Sequence, residues 1–321
     1  MNDRRKLLVV MCATLTMTTA VAADYPIKPI RIVAPYPPAS VADVLARPIA
    51  QKMAETWGQP VIVDNRTGAA GNLGTELVAK APPDGYTLLL GTVGTNAVNA
   101  TLYPKLPYNV QKDFAPVSQV ASSYLLLVMH PSVPVRTVKD VIALAKAQAG
   151  KLNYGSAGVG TTPYLAGAMF NVMAGVSMSH VAYKGSPQST IDLVAGRLDL
   201  IFANGSAVLP FIRTGRLRLI AISARQRDPA IPDIPAINET LPGFEFEPWW
   251  GLFAPAGTPR DIVARLHGET ARALALQDVK SHYADMGLTA VSSTPEQFSA
   301  YVQDEIARWA KLITAAGIRA D

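Results

Sequence analysis

The chain has 321 residues, 49% of them hydrophobic and 17% charged, which supplies a sizeable core and excludes a disordered chain. The net charge is +5, and beyond the first 23 residues 26 basic groups face 23 acidic ones, an ordinary solubility charge. Lys and Arg are scattered with no basic stripe or known module, which argues against a nucleic-acid partner.

At the N-terminus, Arg4-Arg5-Lys6 precedes an apolar run from Leu7 to Val21, and Ala20-Val21-Ala22 is a small-residue cleavage pattern. This predicts a signal peptide over residues 1–23, cut after Ala22 or Ala23, and an exported, periplasmic protein. The run is shorter than the roughly 20 residues of a comfortable membrane span. Cys12, the only cysteine, lies inside it, so the mature chain would carry no thiol and no disulfide.

Strand-like runs then alternate with helical ones. Pro29 to Ala34 reads as a buried strand, Val41 to Trp57 as a helix that Pro48 should kink or break, and Pro60 to Asp64 as the next strand. A helix near Leu73 to Lys80, a turn at Ala81 to Gly85 and a strand at Tyr86 to Leu90 complete a β-α-β-α-β unit, the pattern of a parallel sheet. A second unit follows. Its strands are Tyr124–Met129, Leu152–Tyr154, Ser179–Tyr183, Leu198–Phe202 and Leu217–Ile222. Its helices are Thr137–Ala149, Thr161–Met173 and two near Gln188–Ala195 and Ser206–Arg213. After a Pro-rich stretch, Trp249 to Phe253 is extended, and three helices without strands of their own close the chain, near Arg260–Ala275, Asp278–Met286 and Pro295–Ala315.

Those last helices need a sheet to cover, and the first half offers one. The expected fold is therefore α/β and two-lobed, each lobe a mostly parallel sheet flanked by helices, with two hinge crossings. Lobe 1 takes residues 24–124 and 249–321, and lobe 2 residues 125–248. A hinged pair of lobes makes a ligand cleft, and open α/β sheets bind beyond the C-terminal ends of their strands.

Five loops follow strands. Tyr36, Pro38, Ala39 and Ser40 end the first strand; Ser40 can cap the next helix and Asp43 sits in its first turn, so the loop is either an anion site at a helix start or a stiff, capped turn. Thr92, Thr95 and Asn96 follow the third strand, as hydrogen-bonding groups or a plain connector. Ser156, Gly158, Gly160, Thr161 and Thr162 form the best anion cradle, although their spacing is neither a P-loop nor a dinucleotide fingerprint. Lys184 and Gly185 follow another strand, with Lys184 facing the cleft or solvent, and Asn204 could reach a ligand or cap its helix. Among the four histidines there is no His-Glu-x-x-His zinc pattern, and Ser156 lacks the nucleophile-elbow context, so neither a metal nor a catalytic residue is assigned and no cofactor is expected.

Several stretches together carry a resemblance over nearly the whole mature chain: Tyr25-Pro26, Lys28-Pro29-Ile30-Arg31, Pro35-Tyr36-Pro37-Pro38 with Asp43, Gly58-Gln59-Pro60-Val61, Gly68-Ala69-Ala70-Gly71-Asn72, Pro82-Pro83-Asp84-Gly85-Tyr86, Tyr183-Lys184-Gly185 and Ala254-Pro255-Ala256-Gly257-Thr258-Pro259. The sequence resembles the Bug-type substrate-binding receptors of tripartite tricarboxylate transporters. The resemblance implies a periplasmic receptor of the Venus-flytrap kind that binds a small organic carboxylate and hands it to membrane transporter subunits. It implies binding by the loops Tyr36–Ser40 and Ser156–Thr162. The departures bear on ligand identity: Ala39-Ser40 stand where the family usually has Gly-Gly, Pro163-Tyr164 where a His is common, and Ser186-Pro187-Gln188 where Ala-Pro-Ala is commoner. Neither cradle loop contains Lys or Arg, so the expected holders of the carboxylate are backbone N–H groups and the hydroxyls of Ser40, Ser156, Thr161 and Thr162. A monomer is expected. The alternatives are a secreted α/β enzyme acting on a small acid and a ligand sensor for a membrane kinase.

Overall fold

A computed structural model describes residues 25–318. The cleavage pattern and Cys12 lie outside the described residues. Two sheets organise the chain. The first is entered by β1 (Ile30–Ala34), β2 (Val61–Asn65), β3 (Thr87–Thr92) and β4 (Phe114–Ser122). The second holds β5 (Leu126–Met129), β6 (Asn153–Ser156), β7 (Ser179–Ala182), β8 (Leu200–Ala203) and β9 (Arg218–Ile222), after which β10 (Trp249–Pro255) and the short β11 (Thr289–Ala290) return to the first. The strand orders are β11-β4-β10-β3-β1-β2 and β7-β6-β8-β5-β9.

Helices connect them: α1 (Val41–Trp57), α2 (Asn72–Ala79), α3 (Asn99–Leu102) after a π-helical turn at Gly94–Val98, α4 (Val138–Ala147), α5 (Thr162–Ala174), α6 (Ser186–Val194), α7 (Gly205–Arg213), α8 (Arg260–Ala275), α9 (Gln277–Ala284) and α10 (Pro295–Ala316). No helix among the described residues is long and apolar enough to cross a membrane.

The sheets are more mixed than the alternation predicts. The βαβ cores β2-β1-β3 and β7-β6-β8 are parallel, but β10 runs antiparallel to β3 and β4, and β5 antiparallel to β8 and β9. The antiparallel members flank the two crossings, where the chain changes sheet instead of returning through a helix.

Strand β4 escapes the sequence pattern because Pro116 sits in it, and proline argues against an interior strand. It is accommodated because β11 pairs only with Ala121 and Ser122, leaving the Pro116 end without a second neighbour, while the β10 pairing shifts register beside it. The C-terminal helices pack on the first sheet, with α8 and α10 against β4 and α8 against α1. Contrary to expectation they bring a strand of their own, β11. Helix α10 is fixed from inside. Phe298 lies so close over Gly251 that a Cβ there would sit 2.0 Å from the ring, and Glu305 accepts from the indoles of Trp249 (3.0 Å) and Trp309 (3.1 Å).

Helix α1 also departs from expectation. Pro48 lies inside it without ending it. Proline removes one rung of the ladder, but Leu45, Ile49 and Met53 are fully buried on either side and press both halves onto the sheet. The helix is capped at both ends, by Ser40 and by Gly58 in the left-handed conformation.

Candidate functional site

A cavity of about 350 Å³ lies between the two sheets, at the C-terminal ends of their parallel strands. The volume suits a small molecule. The first sheet contributes Tyr36 to Ala42 after β1, Thr92 at the end of β3 and Trp250 of β10. The second contributes Ala157 and Thr161 to Pro163 after β6, Gly185 to Pro187 after β7, and Asn204, Ser206 and Ala207 after β8. Thr190, Ile191 and Phe211 complete the lining from the bodies of α6 and α7.

Four helices therefore begin at the cavity: α1, α5, α6 and α7. The first N–H groups of a helix have no intrahelical acceptor, and its start carries about half a positive charge. Helices α5 and α6 have Pro163 and Pro187 in their first turns, where the missing N–H is not needed. No side chain lining the cavity is a Lys, Arg, His, Asp or Glu. Asp43 in the first turn of α1 is paired with Arg47, and the starts of α5, α6 and α7 carry no acid, so the N–H groups gathered at the cavity suit an anion. Pro37, Pro38, Val41, Ile191, Phe211 and Trp250 supply apolar surface for its body.

The expected site residues divide. Tyr36, Pro38, Ala39, Ser40, Thr92, Thr161, Thr162, Gly185 and Asn204 line the cavity. Asp43, Thr95, Asn96, Ser156, Gly158, Gly160 and Lys184 do not, and all but the exposed Lys184 have another task.

Asp43 is buried and organises the first loop. It accepts from the Ala39 N–H at 3.0 Å and from the Arg47 guanidinium at 2.7 and 3.0 Å. Burial opposes its charge, but Arg47 and the Ala39 N–H outweigh that and hold the carboxyl below its ordinary range. Ala39 is thereby fixed at φ +62°, in the left-handed region. The glycine usual in the family would adopt that conformation freely; an alanine is strained there. Beside it, Tyr36 donates its hydroxyl to the Ala70 carbonyl at 3.1 Å, and burial pushes the phenol up to about 12.

Thr95 and Asn96 turn inward because the π-helical turn follows β3 directly. The Thr95 hydroxyl donates to Asn96 Oδ1 at 2.7 Å and accepts from the Thr92 N–H at 3.1 Å, and both residues are fully buried. Ser156 is likewise fully buried, its Oγ 2.6 Å from His180 Nε2 and accepting from the Gly158 N–H at 3.0 Å. Neither residue of that Ser–His pair lines the cavity, and their hydrogen bonds hold the loop. Burial lowers the His180 pKa, and its ring lies between Tyr154 and Tyr164. Gly158 and Gly160 have φ of +111° and +84° and shape the same loop. Gly160 also abuts Asn99 and Tyr103 of the first half, and the Tyr103 hydroxyl donates to the Val159 carbonyl at 3.1 Å. Even Thr161, which does line the cavity, donates its hydroxyl to the Gly158 carbonyl at 2.6 Å. Lys184 is exposed and stands outside the cavity.

The starts of α6 and α7 were legible in the sequence, since Gly185 and Asn204 follow strands. Thr190, Ile191, Phe211 and Trp250 were not, because they arrive from the interiors of elements through tertiary packing. Among the described residues, no group of three His, Cys, Asp or Glu side chains could hold a metal ion.

Comparison with known proteins agrees with this geometry. The family model described as "Tripartite tricarboxylate transporter family receptor" matches residues 45–318. A protein from the tcbD-tcbE intergenic region of Pseudomonas sp. strain P51 is 38% identical, over 99% of this chain and 96% of its own length. BugT of Bordetella pertussis is 36% identical over 99% of each. The solved structure of R. palustris Rpa4515 with adipate superposes with a TM-score of 0.88 at 35% identity, covering 92% of this chain and 99% of its own. MatC from Rhodopseudomonas palustris with bound malate gives 0.85 at 34% identity, covering 90% and 100%. The chain belongs to the family of tripartite tricarboxylate transporter receptors.

Proposed function

We propose that this protein is a periplasmic receptor that binds a small organic carboxylate between its lobes, without transforming it, and delivers it to membrane transporter subunits. One observation carries the proposal: four helix starts meet at a cavity with no charged side chain in its lining. Preorganised N–H dipoles hold an anion without the desolvation cost of a buried cation. The bound acids of the Rpa4515 and MatC structures support the same class of ligand. The apolar lining favours an acid with an aliphatic or aromatic body.

The lobes in this proposal are residues 25–124 with 249–318, and 125–248, and the protein acts as a monomer. Export follows from the N-terminal pattern, and intact-mass analysis of periplasmic protein should find a chain starting at Ala23 or Asp24. A thermal-shift screen against carboxylates, amines and sugars tests the binding itself. A ligand at 100 times its Kd stabilises the fold by about 2.7 kcal/mol. Carboxylates should raise the melting temperature. Binding of amines or sugars alone would overturn the assignment, and product formation from a bound acid would make the protein an enzyme.

A further inference from the structure

Outside the cavity lining, the first half of the molecule grips one loop of the second. Gly160 is held between the π-helical turn and the end of α3. A Cβ on it would sit 2.9 Å from Asn99 Oδ1 and 3.2 Å from the Tyr103 ring, and a Cβ on Gly94 would sit 3.0 Å from the Gly160 carbonyl oxygen. The Tyr103 hydroxyl adds its hydrogen bond of 3.1 Å to the Val159 carbonyl. Gly160 takes a φ of +84°, which glycine adopts freely. The next residue, Thr161, is the N-cap of α5 and lines the cavity, so the grip bears on a helix start of the binding site.

The two side chains act against each other. Tyr103 has the Val159 carbonyl as its partner only while the halves touch. Asn99 is fully buried, and its Nδ2 donates to Asn72 Oδ1 at 2.6 Å. Its Oδ1, turned to Gly160, has no partner among the described residues. A buried acceptor without a donor is costly, and water relieves it once the halves part. A neutral hydrogen bond shifts an equilibrium by about two- to tenfold, and a stranded acceptor by about fivefold or more. The two effects oppose each other at similar size, and neither belongs to a ligand contact.

We infer that Tyr103 and Asn99 are positioning residues that set the unliganded balance between joined and parted lobes. Tyr103 is the latch and Asn99 Oδ1 the spring against it, so a bound ligand decides a nearly even equilibrium. The inference rests on the two-lobed reading and not on the class of ligand.

Electron–electron resonance between two spin labels tests it on the unliganded mature chain. The labels sit on Thr67→Cys, after β2, and Gln188→Cys, in α6, both exposed and one on each lobe. Two distances are expected. Tyr103→Phe keeps the ring and should raise the ratio of the longer to the shorter about two- to tenfold. Asn99→Ala should lower it by a similar factor, and Asn99→Ser repeats that arm if the alanine variant melts early. A carboxylate that raises the melting temperature should bind Tyr103→Phe more weakly and Asn99→Ala more tightly, because apparent affinity follows the fraction of competent protein. A ratio that neither variant moves, or that both move in one direction, overturns the inference and leaves the two lobes in place. One distance in all three unliganded proteins also overturns it, and if a carboxylate that raises the melting temperature leaves that distance unchanged, the two-lobed reading fails with it.

Discussion

Ala39→Gly should stabilise the protein, although alanine-to-glycine changes usually do the opposite. Ala39 sits at φ +62°, held there by the Asp43 carboxylate on its N–H and by the Ser40 N–H bonded to the Pro37 carbonyl at 3.1 Å. The left-handed conformation costs an L-residue roughly 1–2 kcal/mol. Removing the Cβ removes that cost. Against it, glycine enlarges the unfolded ensemble by about 0.4–1 kcal/mol. The difference leaves a net gain of about 0–1.6 kcal/mol, centred near 0.8. Urea unfolding followed by tryptophan fluorescence measures it as a higher midpoint at unchanged slope. Ala50→Gly is the control. Ala50 is buried inside α1, and glycine there should cost about 1 kcal/mol or more. If Ala39→Gly destabilises as Ala50→Gly does, the turn is not strained and the account of this loop is wrong.

Three further outcomes are expected. Ser156→Ala should lower stability by about 1–2 kcal/mol, read as an earlier thermal melt, because it strands the Gly158 N–H and the His180 ring. Thr162→Val, at the first position of α5 and in the cavity lining, should instead weaken carboxylate binding severalfold in calorimetry at unchanged stability, whereas the exposed Lys184→Ala should alter binding less than twofold. Burial lowers the His180 pKa from its ordinary 6.5, so below that pH the unfolded chain binds the proton more readily than the folded one. Stability should therefore fall as the pH drops through about 6.5. His180→Gln should flatten that slope in melts taken across the range, and an unchanged slope would show that another group titrates.

Much of the fold was legible because its helices and parallel strands are periodic and punctuated. Helix α8 shows apolar spacing from Arg260 to Ala275, and Gly58 and Gly175 mark helix ends where positive φ is required. Strand β4 was not legible, since Phe114 to Ser122 carries Pro116, Ser118 and Gln119 and is a strand because β10 and, at its end, β11 pair with it. The site followed the same division. Loops after strands named residues at the starts of α1, α5, α6 and α7. Composition could not say which of their hydroxyls face inward. Ser156, Thr95 and Thr161 all satisfy their own loops first, because a buried hydroxyl next to main-chain groups bonds them at once.

The two crossings leave from adjacent strands and arrive on adjacent strands. Ser122 is paired with Trp249, the Ser123 N–H donates to the Pro248 carbonyl at 3.0 Å, and on the far side Leu126 is paired with Ile222. The chain thus passes between the lobes through one strap two strands wide. Such a strap resists shear in its own plane and flexes across its face, so separation amounts to a swing about one line. A swing displaces points in proportion to their distance from that line. In such a swing the contact of Gly185 with Pro37, where a Cβ would lie 3.7 Å from the ring, would part early. Trp250, one residue into β10 from the strap, hardly moves. A ligand released by such a swing would lose its grip from the lip inward, with the indole of Trp250 as the last surface it leaves.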